Sequence, residues 1–289
     1  MVAYLKMLEY PLNITKKDLK MAKLIASQYG GPQGELGAAI RYLNQRLTMP
    51  DDYGRSLLND IGIEELAHIE MLQTMMMMLM KDATIEEIKA AGLETALFDK
   101  VSQNPLTTTA QEGADFAKAN GCDVVVAIGG GSIMDCAKAI AFLSKNDGDI
   151  NDYIYNRLRS DDALPLVLIP TTCGTGSEGN GFAVLTNPDN GDKKSLRCNA
   201  IVAKVSIVDP ECMMTMPKKV LASVTFDALC HNIEAYTSKI AQPLTDALSL
   251  YAIELIANNL VSVYNGTGNK KEWENITMAS TIGGMVINT

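Results

Sequence analysis

Three small sets of residues in this 289-residue chain have types and spacing that could do chemistry. Asp227-Ala228-Leu229-Cys230-His231 sets a carboxylate and an imidazole four residues apart. On a helix that is one face, a spacing that suits two ligands of one divalent cation and equally an ordinary ion pair or cap. Glu65-Leu66-Ala67-His68 places the same two groups three apart, and Glu35, set between apolar neighbours, is a candidate bridging carboxylate on a preceding helix. One Glu and an E-x-x-H from a helix pair are half the ligand set of a di-iron or di-manganese bundle. By itself, E-x-x-H more often marks a satisfied core or surface histidine. Gly129-Gly130-Gly131-Ser132 lies between an apolar run and a helical pattern. Glycines there let backbone approach a phosphate, and a following helix N-terminus presents free N–H groups, although a tight structural turn explains the run equally well. It is not the G-x-G-x-x-G fingerprint. Asp135, one turn further on, would repel a phosphate but suits ribose or amide contacts. The run Thr171-Thr172-Cys173-Gly174-Thr175-Gly176-Ser177-Glu178 adds hydroxyls and flexible backbone.

The elements that must position these residues follow two grammars. Up to about Lys89 the apolar spacing is helical: 17–29, 33–47, a turn at Met49-Pro50-Asp51-Asp52 with Asp51 as N-cap, a long helix over 53–80 and a short one over 85–91. The run Met71–Met80 is too short and too interrupted to span a bilayer, and reads as a buried helix end filled with adaptable methionines. Beyond Gly92 strands at 96–98, 123–128, 166–169 and 205–209 alternate with helices at 110–119 and 134–143. That alternation implies a parallel sheet with its site at the strands' carboxyl ends. From Pro217 the chain is helical again, over 218–238, 244–264 and 271–287. The expected fold class is α/β with an N-terminal all-α module. Its parts are a ferritin-like half bundle (1–92), an incomplete Rossmann-like nucleotide-binding domain (93–212) and the start of an all-helical metal-binding domain (213–289).

A net charge of −9 argues against nucleic acid and anionic membranes as partners, because both require a basic face. Six cysteines without a CxxC pair read as reduced thiols, and the N-terminus lacks the apolar core of a signal peptide, so a cytoplasmic location is expected.

Two resemblances sharpen these readings. Tyr10-Pro11-Leu12, Gln28-Tyr29-Gly30-Gly31-Pro32-Gln33-Gly34-Glu35-Leu36 and Ile63-Glu64-Glu65-Leu66-Ala67-His68-Ile69-Glu70 resemble the manganese catalase family, most of all its CotJC-type spore-coat branch. The resemblance implies Glu35, Glu65 and His68 as ligands of manganese or iron. One chain then holds half a site, which a second copy would complete in a homo-oligomer. Ile128–Ile140, Ile169–Glu178, Val208-Asp209-Pro210-Glu211 and Phe226–Tyr236 are similar, in family order, to the iron-containing (group III) alcohol dehydrogenases. That similarity implies NAD(P) lying over Gly129, Gly130, Gly131 and Ser132, with Asp135, Thr171, Thr172 and Ser177 nearby and a lysine of the Lys193-Lys194 pair on the cofactor. It further implies divalent iron on Asp227 and His231, and a small alcohol or aldehyde as substrate. The family holds its metal with one Asp and three His, whereas the chain contains two histidines, His68 and His231. Two further His ligands and the first nucleotide-binding strand are expected to be missing, which leaves the dehydrogenase-like activity impaired. The alternatives are a manganese-catalase-like metal module completed by dimerisation, or a fusion of two gene fragments with no joint function. Apolar faces on the last helices offer a second route to self-association.

Overall fold

The computed structural model describes residues 14–18, 20–22, 24, 25, 38, 39, 41, 42, 45, 48–80 and 94–287. The chain divides into two units, Met1–Thr95 and Ala96–Thr289. Glu35 and the expected helix at 85–91 lie outside the described residues, as does most of the two expected helices at 17–29 and 33–47.

In the first unit, helix α1 runs over Asp52–Met80. Its start is fixed by Asp51, whose Oδ1 accepts the Gly54 N–H at 2.7 Å and satisfies a donor that the first turn leaves open. Leu72 and Met75 pack against the buried Ala22 and Ile25. This contact buries one stripe of α1, as its spacing of apolar residues requires.

The second unit begins with an extended stretch and helix α2 (Thr107–Ala119). Strand β1 (Val125–Gly129) runs directly into helix α3 (Gly131–Leu143), and a short helix α4 (Ile150–Ile154) follows. Strand β2 (Leu166–Pro170), a hairpin of β3 (Phe182–Thr186) and β4 (Lys193–Arg197), and β5 (Val205–Ser206) complete the β structure. Strands β1, β2 and β5 form one parallel sheet in the order β1-β2-β5, with Gly129 opposite Pro170 and Leu168 opposite Ser206. Because β1 and β2 run parallel, the Gly129 and Pro170 ends emerge at one edge.

The core lies between β2 and α3: Leu166, Leu168, Met134, Ile140, Phe142 and Leu143 are buried together, and the hairpin adds Ala183, Leu185 and Leu196. Two expectations need correction. Residues 96–98 form no strand, because no ladder partner stands beside them among the described residues; Phe98 packs instead on Phe116, with ring centroids 5.8 Å apart. The strand expected over 205–209 stops at Ser206, because Asp209 turns inward to accept the Glu211 N–H at 2.9 Å and starts a 3-10 turn at Pro210. The hairpin is an addition to the expected elements. Its turn is closed by hydrogen bonds from Gly191 N to Asn187 O (2.9 Å) and from Asn187 N to Asp192 O (2.8 Å), with Gly191 at φ +74°.

Helices α5 (Lys218–Thr237), α6 (Pro243–Asn265) and α7 (Lys270–Val286) pack through Ala228, Ala235, Ala252, Ile256, Ala279, Ile282 and Val286. Small residues at these contacts let the axes come close. A second cluster, Cys173, Met213, Leu221, Val263 and Ile276, ties the loop after β2 to this helical layer. Among the described residues, α6 is long and apolar enough to cross a membrane by length and composition. Its Ala252, Ile256 and Val263 are nonetheless buried within the helical layer. Phe226, Leu244 and Val261 are 61%, 72% and 68% exposed on the same layer.

Candidate active site

The glycine turn after β1 does what its composition suggests. Gly130 is the N-cap of α3 and supplies no side-chain cap, so the helix opens with uncapped N–H groups at Gly131 and Ser132. The helix begins three residues before the expected position 134, which brings both residues into its first turn. A Cβ on Gly131 would meet the Thr175 side chain at 2.5 Å, and one on Gly130 would meet Thr172 at 3.3 Å. The close fit of the two loops needs glycine here. Thr171 N donates to Gly129 O at 3.0 Å, so Thr171 and Thr172 stand beside the glycine turn at the same edge of the sheet.

A cavity of about 400 Å³ opens at that edge, lined by Gly131, Ser132, Asp135, Ser177, Lys193, Asp227 and His231, with Asn104 at its rim. It unites the first turn of α3, the loop after β2, the hairpin and α5. Of the residues expected around a cofactor, Gly131, Ser132, Asp135, Ser177 and Lys193 line it; Gly129, Gly130, Thr171 and Thr172 stand behind them. A second cavity of about 390 Å³ lies on the outer side of β1 against Leu97, Phe98 and Phe116. Its lining is mainly apolar and carries none of the candidate cofactor or metal residues.

Lys193 and Lys194 separate cleanly. Lys193 Nζ donates to Asn104 Oδ1 at 2.9 Å and lines the cavity. Lys194 turns away, 4.3 Å above the Tyr155 ring and 3.6 Å from Asp192. Asn104 itself escaped the sequence reading. Its φ of +53° is unusual for a non-glycine residue, its N–H donates to Ser132 Oγ at 3.2 Å, and its side chain receives Lys193. The available signal was the Asn-Pro dipeptide, which reads only as a turn.

Asp135, at the cavity wall, also serves the fold. Its Oδ1 accepts the Ser177 hydroxyl at 2.6 Å and its Oδ2 the Val184 N–H at 3.1 Å, so each oxygen has one partner within the protein. Lys138 is fully buried beside it. The Lys138 ammonium donates to Ser177 O (2.5 Å), Ser177 Oγ (2.8 Å), Asn180 Oδ1 (3.0 Å) and Phe182 O (2.8 Å). Burial holds the Asp135 carboxyl above the usual range and pulls Lys138 down to about 8, each opposed by the other's charge. Burial likewise pushes the thiols of Cys136 to about 12 and Cys173 to about 11, which makes them unreactive packing groups.

Glu178 is also buried. Its Oε1 accepts the Thr281 hydroxyl at 2.7 Å, while Oε2 has no partner. Burial raises its carboxyl, so the fold favours the neutral acid. The contribution of a raised acid is fully present below the unfolded-state value and is lost as pH rises through the folded one. Glu178→Gln, which stays neutral, is therefore expected to melt higher than the unsubstituted protein at pH 8, with the gap closing towards pH 4. Melting curves at both pH values check this; equal gaps would refute it.

Asp227 and His231 lie one turn apart on α5, with Nε2 3.7 Å from Oδ1, and both face the cavity. His231 Nδ1 is buried without a hydrogen-bond partner. The two groups are suitable donors for a divalent cation, but the described residues contain no cluster of three or more His, Cys, Asp or Glu side chains placed for one. They fit part of a coordination sphere. In the first unit, His68 Nδ1 lies 3.1 Å from Glu65 Oε2, so these two do share a face of α1.

A parallel sheet with a glycine turn at its carboxyl edge and a helical layer closing the cavity is the architecture of iron-containing alcohol dehydrogenases. Residues 68–210 match the family described as iron-containing alcohol dehydrogenase, and residues 221–289 match the C-terminal part of that family. Residues 1–122 match manganese containing catalase. The chain therefore contains regions that match both families. It is 43% identical over 185 residues to choline dehydrogenase of Bacillus subtilis, covering 61% of this chain and 45% of that protein. With 1,3-propanediol dehydrogenase of Klebsiella pneumoniae it shares 37% over 207 residues, 72% of this chain and 54% of that one. Sulfoacetaldehyde reductase from Bifidobacterium kashiwanohense, solved in complex with NAD+, superposes with a TM-score of 0.65 at 35% identity, over 70% of this chain and 54% of the other. The chain spans about half the length of the curated relatives it matches.

Proposed function

We propose that the second unit is the dinucleotide cradle and part of the metal site of an NAD(P)-linked, iron-dependent alcohol or aldehyde dehydrogenase, impaired by a coordination sphere that is incomplete among the described residues. The observation that carries this reading is the single cavity shared by Gly131, Ser132, Lys193, Asp227 and His231. In that reading the nucleotide-binding part extends to about residue 212 and the helical metal-binding part follows it. The uncapped N–H groups of Gly131 and Ser132 would receive the pyrophosphate, favoured by the helix dipole. Lys193, oriented by Asn104, adds a charged donor. Thr171 and Thr172 stand where the nicotinamide would reach the strand edge. Asp227 and His231 would hold one side of the cation. A nicotinamide held at the glycine turn would supply hydride chemistry, and a divalent metal held by Asp227 and His231 would supply Lewis-acid chemistry, for a small alcohol or aldehyde substrate. Thiols without a disulfide framework suit the reducing cytoplasm.

The test is titration with NADH and NADPH followed by aldehyde reduction with added ferrous iron. Binding with little or no turnover is expected; no binding of either nucleotide would overturn the reading. Lys193→Ala should weaken binding by about tenfold, the value of one charge-assisted hydrogen bond, and Lys194→Ala should leave it within about twofold.

The Glu65–His68 pair supports a second activity for the first unit: a manganese or iron half-site, with Glu35, that a second copy completes as a four-helix bundle. Light scattering with metal analysis on the full chain should show a manganese-loaded dimer, with the metal lost in Glu65→Ala. A loaded monomer would refute it. The exposed Phe226, Leu244 and Val261 offer the other self-association surface.

A further inference from the structure

We propose that Lys138 is a positioning residue for the dinucleotide, acting through the hairpin that carries Lys193. The inference rests on the dinucleotide reading above.

Lys138 cannot touch a ligand. It is fully buried, and its three ammonium protons are shared among four protein acceptors drawn from residues 177–182. Those acceptors include the Phe182 carbonyl, the first of β3, and Asn180 Oδ1, which also accepts the Phe182 N–H at 3.0 Å. Asp135, one turn earlier on α3, takes the next free N–H of the strand, that of Val184. The start of β3 is thus fastened to α3 by a cation and an anion, joined through the Ser177 hydroxyl. Beyond this anchor, Thr186 pairs with Lys193 across the hairpin, and Thr186 N donates to Pro105 O at 2.9 Å beside Asn104. The position of the Lys193 ammonium is therefore set at one end by Lys138 and Asp135 and at the other by the Asn104-Pro105 turn. Without the buried cation, its four acceptors lose their common partner, and the start of β3 is free to shift, carrying with it Ser177 in the preceding turn and, through the hairpin, Lys193 on β4.

The experiment is a double-mutant cycle on the full chain, with NADH affinity read by fluorescence and amide exchange read over 177–197. Lys138→Met should weaken NADH at least about tenfold and raise exchange in 177–186 while α5–α7 keep their protection. Lys138→Arg, which restores the charge, should recover most of the affinity. In a Lys193→Ala background the penalty of Lys138→Met should shrink, because both substitutions act on the same contact. Should Lys138→Met fail to fold, Asn180→Ala removes a single acceptor and carries the same cycle. Retained NADH binding with unchanged affinity in the Lys138 variants, or strict additivity with Lys193→Ala, would overturn the inference. Absence of NADH binding by the unsubstituted protein would instead overturn the dinucleotide reading itself, and the inference with it.

Discussion

Gly284→Ala is expected to be the most damaging small substitution in the second unit. A Cβ on Gly284 would stand 1.9 Å from the carbonyl oxygen of Gly176 and 2.5 Å from its carbonyl carbon. Relief cannot come from the other side. Gly176 holds φ +58°, and its own Cβ would meet Gly284 N and Ser280 O at 2.5 Å. Two backbones are in contact, so there is no flexible side chain to give way, and the loop after β2 would have to lift off α7. The loss should be about 3–5 kcal/mol, above ordinary overpacking, against a total stability of roughly 5–15 kcal/mol. Thermal unfolding should show a fall in Tm of roughly 10 °C. Gly283→Ala is the internal control. Its Cβ would meet the Asn232 amide at 2.8 Å but backbone no nearer than 3.4 Å, so a side chain can adjust and the loss should be smaller. Equal effects at 283 and 284 would show that the backbone crossing is not what limits stability.

Asp135→Ala should rank second. The substitution removes the acceptor of the Ser177 hydroxyl and of the Val184 N–H, and leaves the Lys138 ammonium buried without its nearest counter-charge. Breaking one side of a buried pair costs about 3–5 kcal/mol, because the remaining charge keeps its desolvation penalty. Asp135→Asn is a milder probe: one oxygen still accepts from Ser177, but the new amide opposes the Val184 N–H donor. Denaturant titration should place the order as unsubstituted, then Asn, then Ala. If Asp135→Ala were as stable as the unsubstituted protein, the buried pair would have no structural role.

The chemistry-bearing segments were legible in the sequence because their signals are local. The glycine turn announces a strand-to-helix junction within four residues, and α3 does begin there, at Gly131. Asp51 caps α1 because an N-cap needs only a donor three residues ahead. Asp227 and His231 share a face because helix periodicity alone decides it. The hairpin was missed although its turn chemistry, Asn187-Pro188-Asp189-Asn190-Gly191-Asp192, stood in plain view. Its second strand, Lys193–Arg197, exposes both lysines and buries only Leu196, so it lacks the apolar run used to find strands. Residues 96–98 failed in the opposite way: they have a strand's composition, and a strand needs a neighbour.

The sequence by itself determined that this chain carries regions matching two families, and it placed Asp227 with His231 and Glu65 with His68 on shared helix faces, since motifs and helix spacing are properties of a few adjacent residues. The tertiary structure decided what those residues touch. It tied Asp135, at the cavity wall, to Ser177 and Val184, and it sent Lys193 into the cavity and Lys194 away from it. It also made Lys138, which reads as one helical lysine among many, the buried centre of four hydrogen bonds reaching as far as 44 residues along the chain. Burial and long-range contact arise only when elements pack. A lysine's spacing shows which side of its helix it occupies, and the partners on that side are chosen by the fold.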